Sequence, residues 1–214
     1  MPNDAQSKEI RPKLTGEKVS PSYMAHIVLL TKQKAALVEW YGKVLGANPV
    51  FENSELSFVT FDAEHHRLAI AEMSDPVQQV VGQGTVDHFA YSMGCLEDLL
   101  NTYVRLKAEG ILPVWPIHHG PSLSLYYRDP DGNHVELQAD TFPTLAEGKR
   151  YIAENKEFAE NAIGIEFDPE ALIDAYESGV PMSTILRRGA LPPPKEEPER
   201  TLGPNRTTPV FQIS

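Results

Sequence analysis

His26 in "AHIVLL" and His88 in "DHFAYS" each stand at the second position of a short apolar run, and Glu136 in "NHVELQAD" interrupts a third. Imidazole nitrogens and carboxylate oxygens are ligands for first-row divalent metals. Two His and one carboxylate on one side of an ion leave the other side open, as non-haem Fe(II) oxygenases require. A single His on a strand is usually just a hydrogen-bonded strand residue. The reason to group these three is their position in a repeat.

"AHIVLLT" from Ala25 is β-branched and aliphatic and predicts a strand. "KAALVEWYGKVLG" places Leu37, Tyr41, Val44 and Leu45 at helical spacing before Gly46, and the strands "ELSFVTFD" and "HHRLAIAEM" follow. The order restarts at Asp87 with "DHFAYSM", then the helix "LEDLLNTYVRLKAEG", then "LPVWPI", "SLSLYYRD" and "NHVELQA". Two βαβββ modules, about 24–75 and 86–140, predict an α+β fold in which an incomplete barrel surrounds a metal cleft. Overlaying the closing strands pairs His66 with His134 and Leu68 with Glu136, so His26, His88, Leu68 and Glu136 are expected to converge. Tyr126 and Glu136 lie symmetrically about Asp131 in "DPDG"; a hairpin there makes them cross-strand neighbours about 5 Å apart at Cβ.

The 214 residues carry a formal charge of −11, with 41% hydrophobic and 23% charged residues. That balance argues against nucleic acid or an anionic membrane as partner, since phosphates need clustered Lys and Arg. No apolar run approaches the roughly 18–20 residues of a membrane span. Cys95 is the single cysteine, which suits a reducing cytoplasm. Residues 1–21 predict a flexible arm, 22–140 the two-module domain, 141–190 a helical appendage and 191–214 a Pro-rich extended tail. In the appendage, 145–160 predicts one helix, and Asp168, Pro169 and Gly179 mark the start and stop of another. No chemistry is apparent in it. The arms and appendage make a homo-oligomer the expected state.

The region 24–140 resembles the vicinal oxygen chelate superfamily (the glyoxalase, bleomycin resistance and dioxygenase proteins), and within it the type I extradiol dioxygenases in a single-domain form. "RDPDGNHVELQ" is similar to the family's closing segment. The resemblance implies His26, His88 and Glu136 as ligands of Fe(II), with Mn(II) as the alternative ion. It implies Tyr126 as a hydrogen-bond donor to a bound catecholate and His66 as acid/base near the dioxygen position. "HHG" at 118–120 resembles a motif carrying a further His beside the site, assigned to His119 with His118 as the alternative. The substrates implied are a small aromatic vicinal diol and O2.

Two rivals stand beside this reading. One is another metalloenzyme of the superfamily, a glyoxalase-like isomerase or thiol transferase; glyoxalase I-like proteins supply a ligand from the first module's closing strand, where Leu68 cannot serve and His66 is the alternative nearby. A non-catalytic protein that binds an aromatic ligand needs only an apolar pocket, for which Phe89, Tyr91, Trp115 and Tyr126 are candidates.

Overall fold

The structure, a computed structural model, describes residues 20–73 and 86–200. Nearly all of the expected arm 1–21, the inter-module segment 74–85 and the tail beyond Arg200 lie outside the described residues. The first module runs β1 (Ile27–Thr31), α1 (Lys34–Leu45), β2 (Asn48–Glu52), β3 (Leu56–Thr60) and β4 (Leu68–Glu72). The second runs β5 (His88–Ser92), α2 (Leu96–Ala108), β6 (Trp115–His118), β7 (Ser122–Arg128) and β8 (His134–Asp140). Helices α3 (Leu145–Glu154) and α4 (Lys156–Glu160), strand β9 (Ile165–Glu166), and helices α5 (Pro169–Glu177) and α6 (Met182–Ile185) complete it. Among the described residues it is a mixed α+β fold with two sheets and no closed barrel. The sheets have orders β1-β4-β3-β2 and β5-β8-β7-β6-β9.

Each module closes the same way. Its first and last strands pair in parallel, β1 with β4 and β5 with β8, because the helix carries the chain back across one face of the sheet. Alternation then divides the side chains. In the second sheet Leu123, Leu125, Tyr127, Val135 and Leu137 face α2 and join a core with Leu99 and Leu106. In the first, Leu29, Val59, Leu68 and Ile70 meet Leu37 and Tyr41 of α1 in that same core. Both helices therefore share one apolar interior. Truncating a fully buried leucine such as Leu37 or Leu99 to Ala costs about 2–5 kcal/mol.

Polar contacts also hold the modules together. The Tyr41 hydroxyl of α1 donates to Asp129 Oδ2 at 3.0 Å, and Gln33 Nε2 donates to Asp131 Oδ1 at 2.6 Å. Asp129 meanwhile accepts from the backbone N–H groups of Asp131 and Asn133 and from Asn133 Nδ2. Gly132 supplies the left-handed residue of this turn, with φ 85°. The "DPDG" turn is thus organised by one buried carboxylate and clasped by the other module.

Three sequence expectations need correction. The strand pairs Ile27–Leu68 and Val28–Ala69 match Phe89–Val135 and Ala90–Glu136, so the repeat partner of Glu136 is Ala69. Leu68 corresponds to Val135, and both are wholly buried on the helix side. The sequence overlay is off by one, and one residue in a strand reverses the face. The expected helix 145–160 is broken at Asn155, whose extended backbone (ψ 123°) ends α3 while its side chain caps α4 through Phe158 N–H. The second sheet also gains a fifth strand, β9, from the appendage.

Candidate metal centre

The face of the second sheet turned away from α2 carries the polar residues. Register sets Ala90, Glu136, Tyr126 and Trp115 in one row across β5, β8, β7 and β6. His88 lies on the same face in the row beside it, opposite His134. His88 Nε2 sits 3.1 Å from Glu136 Oε2, and its Nδ1 sits 2.8 Å from Asp87 Oδ2. A carboxylate on Nδ1 fixes the proton there and turns Nε2 toward the second carboxylate, the arrangement that supports a metal-bound His. Only 4% of Glu136 is exposed. Burial acts to raise its pKa, but hydrogen bonds from His88 and Ser124 and the imidazoles nearby outweigh that, and the carboxyl is held below its ordinary range. The His88 pKa is raised, chiefly by the Glu136 hydrogen bond, against burial and with help from Asp87. A cation is favoured between these two groups, and a divalent ion in place of the shared proton fits the donor set.

Tyr126 and Glu136 are direct cross-strand partners. The Tyr126 ring packs between Trp115, with centroids 5.0 Å apart, and His88, at 5.1 Å. Its hydroxyl lies 3.2 Å from His119 Nε2, and that nitrogen is 3.8 Å from Glu136 Oε1. Burial first, then the Glu136 charge, push the phenol pKa well up, so Tyr126 is a hydrogen-bond donor and not a base.

The two histidines of "HHG" do different things. His119 follows Trp115 and Ile117 in parity and lies on the Tyr126 face, whereas His118 points to the opposite face. Carbonyl oxygens only accept, so the rings' protons can be assigned. His119 Nδ1–H donates to the Ile163 carbonyl, leaving Nε2 as an acceptor for the Tyr126 hydroxyl. His118 is the other tautomer: Nε2–H donates to Leu186 O at 3.0 Å, and Nδ1 accepts from Gly120 N–H at 3.1 Å. Burial lowers the pKa of both rings. Parity with Trp115 was the available signal separating the two.

His26 and His66 form a different group. The His26 ring is exposed and lies 4.6 Å from the His66 ring, which stacks on Phe58 at 4.4 Å and meets His65 Nδ1 at 2.6 Å. Partial burial and the neighbouring His65 and His26 lower the His66 pKa. The structure thus brings together His88, Glu136, His119 and Tyr126 and leaves His26 outside their contacts. Among the described residues no three His, Cys, Asp or Glu side chains stand in ligand geometry. His26 does open onto the junction of the modules. With Ile27, Phe61, Arg67, Ala90 and Tyr91 it lines a cleft of about 240 Å³ between β1 and β5.

Register also relates this face to one face of the first sheet. Val28, Ala69, Phe58 and Phe51 form a row across the first sheet, at the places that Ala90, Glu136, Tyr126 and Trp115 hold in the second. One half is polar and the other apolar. Of the expected pocket aromatics, Phe89 instead packs against the shared core, and Trp115 and Tyr126 form a small buried cluster with Ile117.

The appendage, in which the sequence showed no chemistry, contributes directly. Besides Ile163, Glu166 of β9 accepts from Trp115 Nε1 at 3.1 Å and pairs with Arg200. From the start of the expected tail, Glu199 sits 3.3 Å from His134 Nε2 and forms an ion pair with Arg128. No local pattern in 141–200 signals these contacts, because a backbone carbonyl has no sequence signature and a Glu or Arg looks the same in sequence whether or not it is paired.

Comparison with known proteins fits this architecture. Residues 23–137 match the glyoxalase/bleomycin resistance protein/dioxygenase superfamily. The chain is 42% identical to biphenyl-2,3-diol 1,2-dioxygenase 3 of Rhodococcus globerulus, over 77% of this chain and 87% of that one. It is 43% identical to biphenyl-2,3-diol 1,2-dioxygenase 2 of the same organism, over 75% and 85%. A solved lactoylglutathione lyase from Agrobacterium tumefaciens is 24% identical over 56% of this chain and 94% of its own, with a TM-score of 0.41. With one family match running through both modules and dioxygenase relatives aligned over most of its length, the chain belongs to the glyoxalase/bleomycin resistance protein/dioxygenase superfamily.

Proposed function

We propose that this chain is an extradiol ring-cleavage dioxygenase acting on an aromatic vicinal diol, with a divalent metal held by His88, Glu136 and His26. The observation that carries it is the convergence of a His–carboxylate pair, a buried phenol donor and an imidazole acceptor on one face of the second sheet. The relatives, named for biphenyl-2,3-diol, point to the same chemistry. Support for His26 comes from register: it precedes Ile27 as His88 precedes Phe89. Fe(II) is the proposed ion, with Mn(II) the alternative. When bound, it supplies open positions for both diol oxygens and for dioxygen, together with the electron transfer between them.

The residues supply the rest. Asp87 holds the proton on His88 Nδ1 and so presents Nε2 to the ion. Tyr126 donates its hydroxyl proton in a hydrogen bond to a diol oxygen, stabilising charge there. His119 Nε2 accepts from Tyr126 or from a diol hydroxyl. His66, with a lowered pKa, is neutral near pH 7 and takes up or returns a proton on the dioxygen side. The apolar row Val28, Ala69 and Phe58 offers a surface for the substrate ring. Ala69 supplies no ligand, which weighs against the glyoxalase-like isomerase reading.

Anaerobic loading with Fe(II), followed by oxygen uptake on a panel of vicinal diols, tests the proposal. Uptake of one O2 per diol, lost in His88→Ala and His26→Ala, is the expected result. Bound iron without uptake on any diol refutes it and favours a binding role. We also propose a homo-oligomer in a reducing compartment. The exposed Val50 and Phe51 on β2 support self-association, which sedimentation tests. No described helix is long and apolar enough to cross a membrane.

A further inference from the structure

The loop joining α4 to β9 is tied to the site by a chain of specific contacts. Asn161 Oδ1 accepts from the backbone N–H groups of Ile163, at 3.2 Å, and Gly164, at 3.0 Å, and its Nδ2 donates to Gly164 O at 2.7 Å. This one side chain folds the loop into a tight turn. Gly164 has φ 133°, and a Cβ there would meet His118 O at 2.7 Å and Ile117 Cγ1 at 2.8 Å. Only glycine permits so close an approach to β6. The approach puts the Ile163 carbonyl on His119 Nδ1, while the Ile163 side chain packs on the cluster of Trp115, Ile117 and Tyr126.

We infer that Asn161 and Gly164 are positioning residues: through the Ile163 carbonyl they lock His119 in its Nδ1–H tautomer, keeping Nε2 an acceptor toward Tyr126 and the diol. This rests on the dioxygenase reading for its catalytic meaning but not for its geometry. Without the carbonyl, the ring is free to carry its proton on Nε2. A donor there would face Tyr126 and Glu136, and the site would lose its acceptor beside the phenol. The appendage is then a working part of the centre, reached from about forty residues further along the chain.

Ring ¹⁵N spectra of metal-free, histidine-labelled protein read the tautomer without any turnover. The wild type is expected to show His119 protonated on Nδ1. Asn161→Ala, at an exposed position, is expected to shift His119 toward a mixture of tautomers. The same variant, loaded with Fe(II) and assayed on biphenyl-2,3-diol, should lose roughly ten- to a hundredfold in kcat with KM within about twofold. Asn161→Asp, which keeps the Oδ1 acceptor, should recover most of both. A wild-type ring protonated on Nε2, an unchanged ring signal in Asn161→Ala, or a changed signal with kcat intact overturns the inference. Absence of oxygen uptake by the wild type refutes the dioxygenase reading instead, and the spectra still decide the tautomer lock.

Discussion

Tyr126→Phe removes one oxygen atom from a ring that is 1% exposed and held between Trp115 and His88. The ring's shape and packing are preserved, so the fold should survive. The lost hydroxyl leaves His119 Nε2, 3.2 Å away, without its donor. Burial of one unsatisfied acceptor costs about 1 kcal/mol, or roughly 2–4 °C in Tm for a chain of this size. The larger effect falls on catalysis. A hydrogen bond to a charged oxygen contributes about 1.5–3 kcal/mol, which converts to a loss of roughly ten- to 150-fold in kcat/KM. Because the phenol pKa is pushed up by burial and by Glu136, this donor persists as pH rises, and the deficit should be pH-independent from neutrality to mildly alkaline conditions. Initial oxygen-uptake rates at matched iron content measure it. A fall in kcat marks a contact that strengthens in the transition state, and a rise in KM alone marks uniform binding. A kcat/KM within twofold of wild type would falsify the assignment of this hydroxyl to the substrate.

Glu136→Gln is nearly isosteric but removes the charge; after anaerobic reconstitution, iron content should fall to less than about a tenth of wild type, and a fully loaded variant removes Glu136 from the ligand set. His118→Gln separates the paired histidines. Its folded pKa is depressed by burial, so as pH falls through about 6.5 the unfolded chain binds a proton that the folded one refuses. Stability then drops by up to about 1.4 kcal/mol per pH unit for that group, and denaturant titrations of His118→Gln should show a slope shallower by up to one proton. Tyr41→Phe takes one hydrogen bond from the buried Asp129 carboxylate. The cost of about 1–3 kcal/mol should lower Tm by roughly 2–12 °C, and a shift below 1 °C in thermal melts argues against the clasp between modules.

Much of the scaffold could be read from local chemistry. Gly46 takes φ 64° at the end of α1, and Asp168 caps α5 through Glu170 N–H, because such signals act over a single turn of chain. The Tyr126–Glu136 register was legible for the same reason: a short turn centred on Asp131 leaves the flanking strands one pairing. The module overlay failed by one residue at Leu68, since weak identity fixes a repeat's order but not its strand register. Local pattern also overextended the helix at Asn155, where side-chain capping of the next turn competes with continuing the helix.

Sequence by itself determined the two modules, their order of elements, and which residues carry metal-binding and acid–base groups, because composition and alternation act at short range. Only the tertiary structure decided that His26 rests on His66, and that a carbonyl from the appendage orients His119 while its Nε2 meets Tyr126. Those outcomes depend on strand parity and on backbone groups brought from far along the chain, whose hydrogen bonds are the same chemistry at every residue and acquire meaning only from where the fold places them.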